Sequence, residues 1–191
     1  MRSAVIASGS PVRRAMLFNA GLSVECLTSD VDETRLKSEA RAANRSVEDV
    51  VTDLARAKAC SVSQMRPDCI VIGADQILNI DGAWFDKPRT RDDIRSHIRA
   101  LRGRTHHLVT AVVCVCDGEV LWQHHETASV IMRNVSNEFI DDYIDAEGES
   151  LLSTVRAYRL ESRGVQLFEQ IDGNYFTTLG LPLLPLLAFL R

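Results

Sequence analysis

Ser8-Gly9-Ser10-Pro11-Val12-Arg13-Arg14 sets two hydroxyls, a glycine and two adjacent arginines around what reads as the start of a helix. The free N–H groups and positive dipole end of such a start attract phosphate. Adjacent arginines project about 100° apart on a helix, so Arg13 and Arg14 could grip different phosphates of one chain. The segment is neither a Walker loop nor a dinucleotide fingerprint, and a capped helix with solvated arginines is the plainer alternative.

Asp75-Gln76 closes the continuous apolar run of residues 69–74. A carboxylate leaving the end of a buried strand can polarise a water, hold a divalent cation, or simply cap a turn. Asp30-Val31-Asp32-Glu33 offers hard oxygen ligands of the kind Mg²⁺ or Mn²⁺ accepts, or else a solvated acidic loop. Lys58, inside a helical pattern, and Lys87, before Pro88, each read singly as surface charges. His106-His107 and His124-His125 cannot chelate through both rings, because neighbours on a strand face opposite sides. The G-x-S-x-G signature of a nucleophile elbow is absent.

The elements that must position these residues alternate in type. Residues 4–7 read as a short strand. Residues 11–20 read as a helix with Ser10 as N-cap and Pro11 in its first position, ended by Gly21. Residues 24–28 form a second strand, 29–35 an acidic loop, and 46–64 a helix with its apolar residues at helical spacing. Residues 69–74 are apolar throughout, as in a strand buried on both faces, and 77–80 stay extended to the turn Asp81-Gly82. A helix over 90–101 follows, capped by Thr90. Asp117-Gly118 between the runs 108–116 and 119–132 is a strong hairpin signal. Residues 136–146 read as a helix, 158–161 and 165–170 as strands, and 183–190 as a last helix. This order predicts an α/β fold with a mixed central sheet flanked by helices, in one domain over residues 1–191.

Composition narrows the function classes. Lys plus Arg number 22 against 26 Asp plus Glu, a net charge of −4, which argues against a broad polyanion surface but permits a local basic pocket. Aromatics make up only 6%, so the basic stripe with interleaved rings of a nucleic-acid binder is missing. No apolar stretch approaches the roughly 20 residues of a membrane-spanning helix, and residues 1–7 are too short and too soon polar for a signal peptide. Cysteines 26, 60, 69, 114 and 116 include no CxxC pair, which suits reduced, buried thiols and a cytoplasmic setting.

Seven segments in order resemble the Maf family of nucleotide pyrophosphatases, also named septum formation inhibitors. They are Ala7-Ser8-Gly9-Ser10-Pro11-Val12-Arg13-Arg14, Ser29-Asp30-Val31-Asp32-Glu33, Ala57-Lys58-Ala59, Val71-Ile72-Gly73-Ala74-Asp75-Gln76, Lys87-Pro88, Gly103-Arg104-Thr105-His106 and Gly180-Leu181-Pro182-Leu183. The resemblance runs nearly end to end. It implies a Maf or inosine triphosphate pyrophosphatase-like fold with two lobes and a cleft, often as a homodimer. It also implies hydrolysis of a nucleoside triphosphate to the monophosphate and pyrophosphate with a divalent metal (Mg²⁺, Mn²⁺ or Co²⁺). By the same resemblance Asp75 is the proton acceptor and a metal ligand, Glu33 a metal-site acid, and Ser8, Arg13, Arg14, Lys58 and Lys87 surround the triphosphate.

The later part departs from the family pattern Lys-Ala-Gly-Ala-Tyr-Gly-Ile-Gln-Gly. Anchored on Ala157-Tyr158, this chain replaces the two glycines that flank this pair by Arg156 and Arg159, the lysine by Thr154, and the glutamine by Glu161. Gln76 stands where the pyrimidine-hydrolysing branch usually has threonine. Gln76 and Glu161 together resemble the branch that hydrolyses 7-methyl-GTP. An ionised carboxylate only accepts hydrogen bonds. It suits the adjacent N–H and NH₂ donors of guanine better than the acceptor-flanked N–H of uracil or thymine. The competing class is a non-catalytic nucleotide-binding regulator of cell division. Asp75, Glu33 and Lys87 speak for the enzyme, whereas the bulk of Arg156 and Arg159 speaks slightly for the binder.

Overall fold

The computed structural model describes residues 3–191. Met1 and Arg2, part of the N-terminal stretch considered above, lie outside the described residues. Strand β1 (Ala4–Ala7) leads through helix α1 (Pro11–Asn19) to β2 (Val24–Leu27). Helices α2 (Glu33–Ala42) and α3 (Val47–Ser63) precede the long strand β3 (Ile70–Ile80) and the short β4 (Ala83–Phe85). Helix α4 (Arg91–Leu101), the hairpin β5 (Thr105–Cys116) and β6 (Glu119–Met132), and helix α5 (Asn137–Glu147) follow. Two 3-10 turns, Gly148–Ser153 and Arg163–Leu167, lead to β7 (Phe168–Asp172), α6 (Tyr175–Thr178) and α7 (Leu183–Leu190). The strands form one seven-stranded mixed sheet in the order β2-β1-β3-β5-β6-β7, with β4 on β3. β1 runs parallel to both β2 and β3, aligning Ala4 with Val24 and with Ile70; β4 is antiparallel to β3, and β7 to β6.

The chain divides into two compact units. One comprises the described residues through Gln76, Val109–Glu126 and Asn174–Arg191; the other comprises Ile77–Leu108 and Thr127–Gly173. In the first, the parallel strands bury Val5, Ile6, Val71 and Ile72 with Leu17 of α1 and Leu54 of α3. In the second, Ile94, Ile98 and Leu101 form the buried stripe of α4 and join Leu78, Leu108, Met132, Ile140 and Tyr158 in one core. No helix among the described residues is long and apolar enough to cross a membrane.

Local chemistry accounts for most boundaries. Ser10 accepts from Arg13 N and Pro11 occupies the first turn, which starts α1. Thr90 and Asp93 form a reciprocal capping box on α4. Asp117 and Gly118 both take positive φ, 51° and 78°, as a two-residue hairpin turn demands.

Other expectations are corrected. The strand expected over 69–74 does not end at Asp75 but continues to Ile80. Polar side chains need not end a buried strand when each finds a partner inside, as Asp75 and Gln76 do. The loop expected over 29–35 gives way to α2 at Glu33, with Asp32 as N-cap; this helix is largely polar and buries only Lys37 and Ala40, so it shows little apolar periodicity. Residues 158–161 are turns rather than a strand, and the strand expected over 165–170 is a 3-10 turn followed by β7. Ala157 at φ 55° breaks any extended run there. None of the five cysteines forms a disulfide, but only Cys114 and Cys116 are buried, while Cys26 is exposed.

Candidate functional site

Gly73 lets a helix and a strand approach where the chemistry sits. A Cβ on Gly73 would lie 2.1 Å from the Ala55 carbonyl oxygen and 2.9 Å from Ala59 Cβ, so only glycine fits. This close packing of β3 on α3 brings Lys58 to Asp75. The Lys58 ammonium donates to Asp75 Oδ1 at 2.5 Å and stands 2.8 Å from Glu33 Oε1. Lys58 and Asp75 are both buried. One ammonium between two carboxylates leaves a net negative site. Asp75 Oδ2 is buried and has no hydrogen-bond partner.

Arg13 ties three segments of the same unit together. Its Nε donates to Gly180 O at 2.6 Å, and its Nη1 donates to Ala74 O at 2.9 Å and to Ser8 Oγ at 3.3 Å. Gly180 takes φ 101°, which an L side chain rarely adopts. Gln76 reinforces the same segment. Its Nε2 donates to Thr110 Oγ1 at 2.9 Å and Thr177 O at 3.0 Å, and Thr110 Oγ1 donates to Thr177 O at 3.1 Å. Thr177 Oγ1 in turn donates to Glu126. Arg14 is exposed and lines a groove of about 380 Å³ with Pro11, Phe18, Leu22 and Val24. Ser8, Arg13, Glu33, Lys58, Asp75 and Gln76 therefore fall in one compact unit, as three bonded groups that meet at the consecutive residues Ala74, Asp75 and Gln76, while Arg14 lines its own groove.

The acidic run does not act as a block. Asp32 caps α2 through Arg35 N, and Asp30 accepts from Ser61 Oγ at 2.7 Å, which holds its carboxyl below the usual range. Only Glu33 joins Lys58.

The second unit holds Lys87 and Glu161. Lys87 is exposed, just after β4. Glu161 Oε1 accepts from Arg159 Nε at 3.1 Å, and Arg156 Nη2 lies 4.0 Å from Oε2. Arg159 Nη1 lies 3.6 Å from Glu147 Oε2. His106 and His107 face opposite ways as expected, His106 to the Tyr158 hydroxyl and His107 to Ser129. Burial pushes the His106 imidazole down to about 4 and the Tyr158 phenol up.

The model of the Maf-like protein family matches residues 3–191. The chain belongs to this family. Among its relatives, a nucleoside triphosphate pyrophosphatase of Granulibacter bethesdensis is 48% identical over 187 residues, covering 98% of this chain and 95% of that protein. A 7-methyl-GTP pyrophosphatase of Mesorhizobium japonicum is 49% identical, covering 98% of this chain and 94% of that protein. A nucleoside triphosphate pyrophosphatase of Paramagnetospirillum magneticum is 46% identical, covering 98% and 96%.

The divalent cation expected from the resemblance can be tested against the donor set. Among the described residues no cluster of three or more His, Cys, Asp or Glu could hold a metal. The unpartnered Asp75 Oδ2 and the Glu33 carboxylate supply two hard oxygen sources. That set fits a cation which takes its remaining ligands from phosphate and water, as Mg²⁺ commonly does. Thr110 and Thr177, which hold Gln76, and Glu126, which accepts from Thr177, carry no local sequence signal. They meet only because β5, β6 and the C-terminal segment share one unit.

Proposed function

We propose that this Maf-like protein hydrolyses a nucleoside triphosphate to the monophosphate and pyrophosphate, aided by Mg²⁺, Mn²⁺ or Co²⁺. The observation that carries this reading is the Lys58 ammonium between Asp75 and Glu33, with Asp75 Oδ2 unpartnered. Asp75 Oδ2 accepts the proton of the attacking water. Lys58 fixes the other oxygen of the same carboxylate, so that Asp75 presents one lone-pair face. Ser8 and the N-terminus of α1 offer hydroxyl and N–H donors to phosphate. Arg13 holds the Ser8 turn and the Gly180 turn to the main chain beside Asp75. Lys87 contributes positive charge to the triphosphate. Asp75 and Glu33 would hold the cation, which when bound neutralises phosphate charge and orients the anion.

Glu161 selects the base. Its carboxylate favours the paired donors of guanine, and the cationic ring of a 7-methyl derivative favours it further. The 7-methyl-GTP pyrophosphatase among the relatives supports this choice. A panel of standard triphosphates and 7-methyl-GTP, assayed for pyrophosphate with each of the three metals, tests the reading. Pyrophosphate release with a guanine preference is expected. Tight nucleotide binding without any release would identify a nucleotide-binding regulator instead.

A further inference from the structure

Arg159 engages two acids at once. Its Nε donates to Glu161 Oε1 at 3.1 Å, while its Nη1 lies 3.6 Å from Glu147 Oε2. Glu147 is already well held. Its Oε1 accepts from Ser162 Oγ at 2.8 Å and from Arg163 N at 3.2 Å. Glu161 is held less fully, because its Oε2 is buried with no hydrogen-bond partner and meets only the charge of Arg156, 4.0 Å away. Such an oxygen costs free energy unless a partner reaches it in another state of the site. Arg159 is the more exposed member of the cluster, at 35% of its side chain, and so the one free to move.

A guanidinium presents N–H donors side by side in a plane. The Watson–Crick edge of guanine, with N1–H beside the exocyclic amino group, presents a similar fork. Uracil offers a single N–H flanked by acceptors, so it cannot replace that fork.

We propose that Arg159 is a displaceable stand-in for the guanine edge, a latch that occupies Glu161 until a base with two adjacent donors replaces it and so tempers guanine affinity. On displacement Arg159 keeps its pairing with Glu147, so no charge is left without a partner. A base with one donor does not repay the broken Arg159–Glu161 contact. The latch therefore raises KM for every base that must use Glu161, whereas a base that cannot use it leaves the Arg159–Glu161 contact closed and is indifferent to it. The inference rests on the reading that Glu161 faces the base.

Steady-state kinetics with GTP, 7-methyl-GTP and UTP test it on the intact protein, comparing Arg159→Met, Arg159→Lys and Glu161→Gln. Arg159→Met keeps the aliphatic stem and removes every donor. It should lower KM for both guanine substrates about two- to fivefold, the range of a part-exposed ion pair, with UTP changed less than about 1.5-fold and kcat held. Arg159→Lys, with a single ammonium, should fall between Arg159→Met and the parent. It also carries the test alone should Arg159→Met lower Tm too far to assay. Glu161→Gln should erode the guanine preference with or without Arg159→Met. An unchanged or higher guanine KM in the Arg159 variants, while Glu161→Gln still shifts preference, overturns the latch and leaves the base reading standing. A Glu161→Gln protein with parental preference overturns both.

Discussion

Lys58 Nζ donates to Asp75 Oδ1 at 2.5 Å, across a helix–strand contact that only a glycine at position 73 permits. A packing requirement and a chemical one thus meet within three residues of β3. The strand brings Asp75 to the ammonium, and the absent Cβ brings the ammonium to the strand. Burial of both partners makes the pair sensitive to loss of either, because the survivor is left as an uncompensated charge.

Asp75→Asn follows most directly. The amide oxygen still accepts from Lys58, and Glu33 remains as counter-charge, so the fold should survive. The basic oxygen is lost, and removal of a general base typically costs 10²–10⁴ in rate, about 3–5 kcal/mol of barrier. Pyrophosphate release and a thermal melt on the same sample check this. Parental kcat in a folded variant would remove Asp75 from the base role.

Gly73→Ala probes the packing half of the relationship. The nearest atom to the new methyl is a helix carbonyl at 2.1 Å, which cannot swing aside as a side chain could. Overpacking of this kind costs about 1–3 kcal/mol and shifts the backbone. A drop in Tm together with a fall in kcat is expected, since α3 must retreat and carry Lys58 with it. Loss of stability with full activity would separate the contact from the site.

The contrast between what was and was not legible in the sequence has a physical basis. Caps and turns are local, so Ser10, Thr90, Ser136 and Asp117-Gly118 mark their elements in the chain itself. A carboxylate usually stops an apolar run, so in the sequence Asp75 reads as a strand end. Its partner Lys58 lies 17 residues earlier on a different element, and no spacing announces that pair. Helix α2 stayed hidden because its sequence is nearly all polar. Tyr158 and Leu160 promised a strand, but both are instead buried in an irregular segment held by Arg156, Arg159, Glu147 and Glu161.

The two arginines of the first motif should now behave differently. Arg13→Ala takes donors from the carbonyls of Ala74 and Gly180, at about 1–3 kcal/mol for buried acceptors left short of a partner. For a chain of this size that lowers Tm by about 3–10 °C, and kcat/KM should fall with it because the turn beside Asp75 loosens. Arg14→Ala, on an exposed side chain, should leave Tm within about 1 °C. Equal melts for the two variants would show that the Arg13 contacts contribute nothing to stability.

Acid should destabilise the fold through a buried histidine. His106 is fully buried on β5, with Nε2 hydrogen-bonded to the Tyr158 hydroxyl at 2.8 Å and Nδ1 lacking a partner. Burial lowers its folded-state value to about 4 from 6.5, so the neutral ring is the one the core accepts. As pH falls below about 6.5 the unfolded chain binds a proton that the folded chain refuses. Stability therefore declines from there down to about 4, by about 3 kcal/mol in all, and the term is constant above and below that window. Urea unfolding at pH 7, 5.5 and 4.5 should show this loss in the parent on top of whatever carboxylates contribute. In His106→Gln, whose amide can still meet the Tyr158 hydroxyl but does not titrate, the decline between pH 6.5 and 5 should largely vanish, because few carboxylates titrate there. A parent and variant with parallel pH profiles would mean that His106 does not titrate in this range on unfolding.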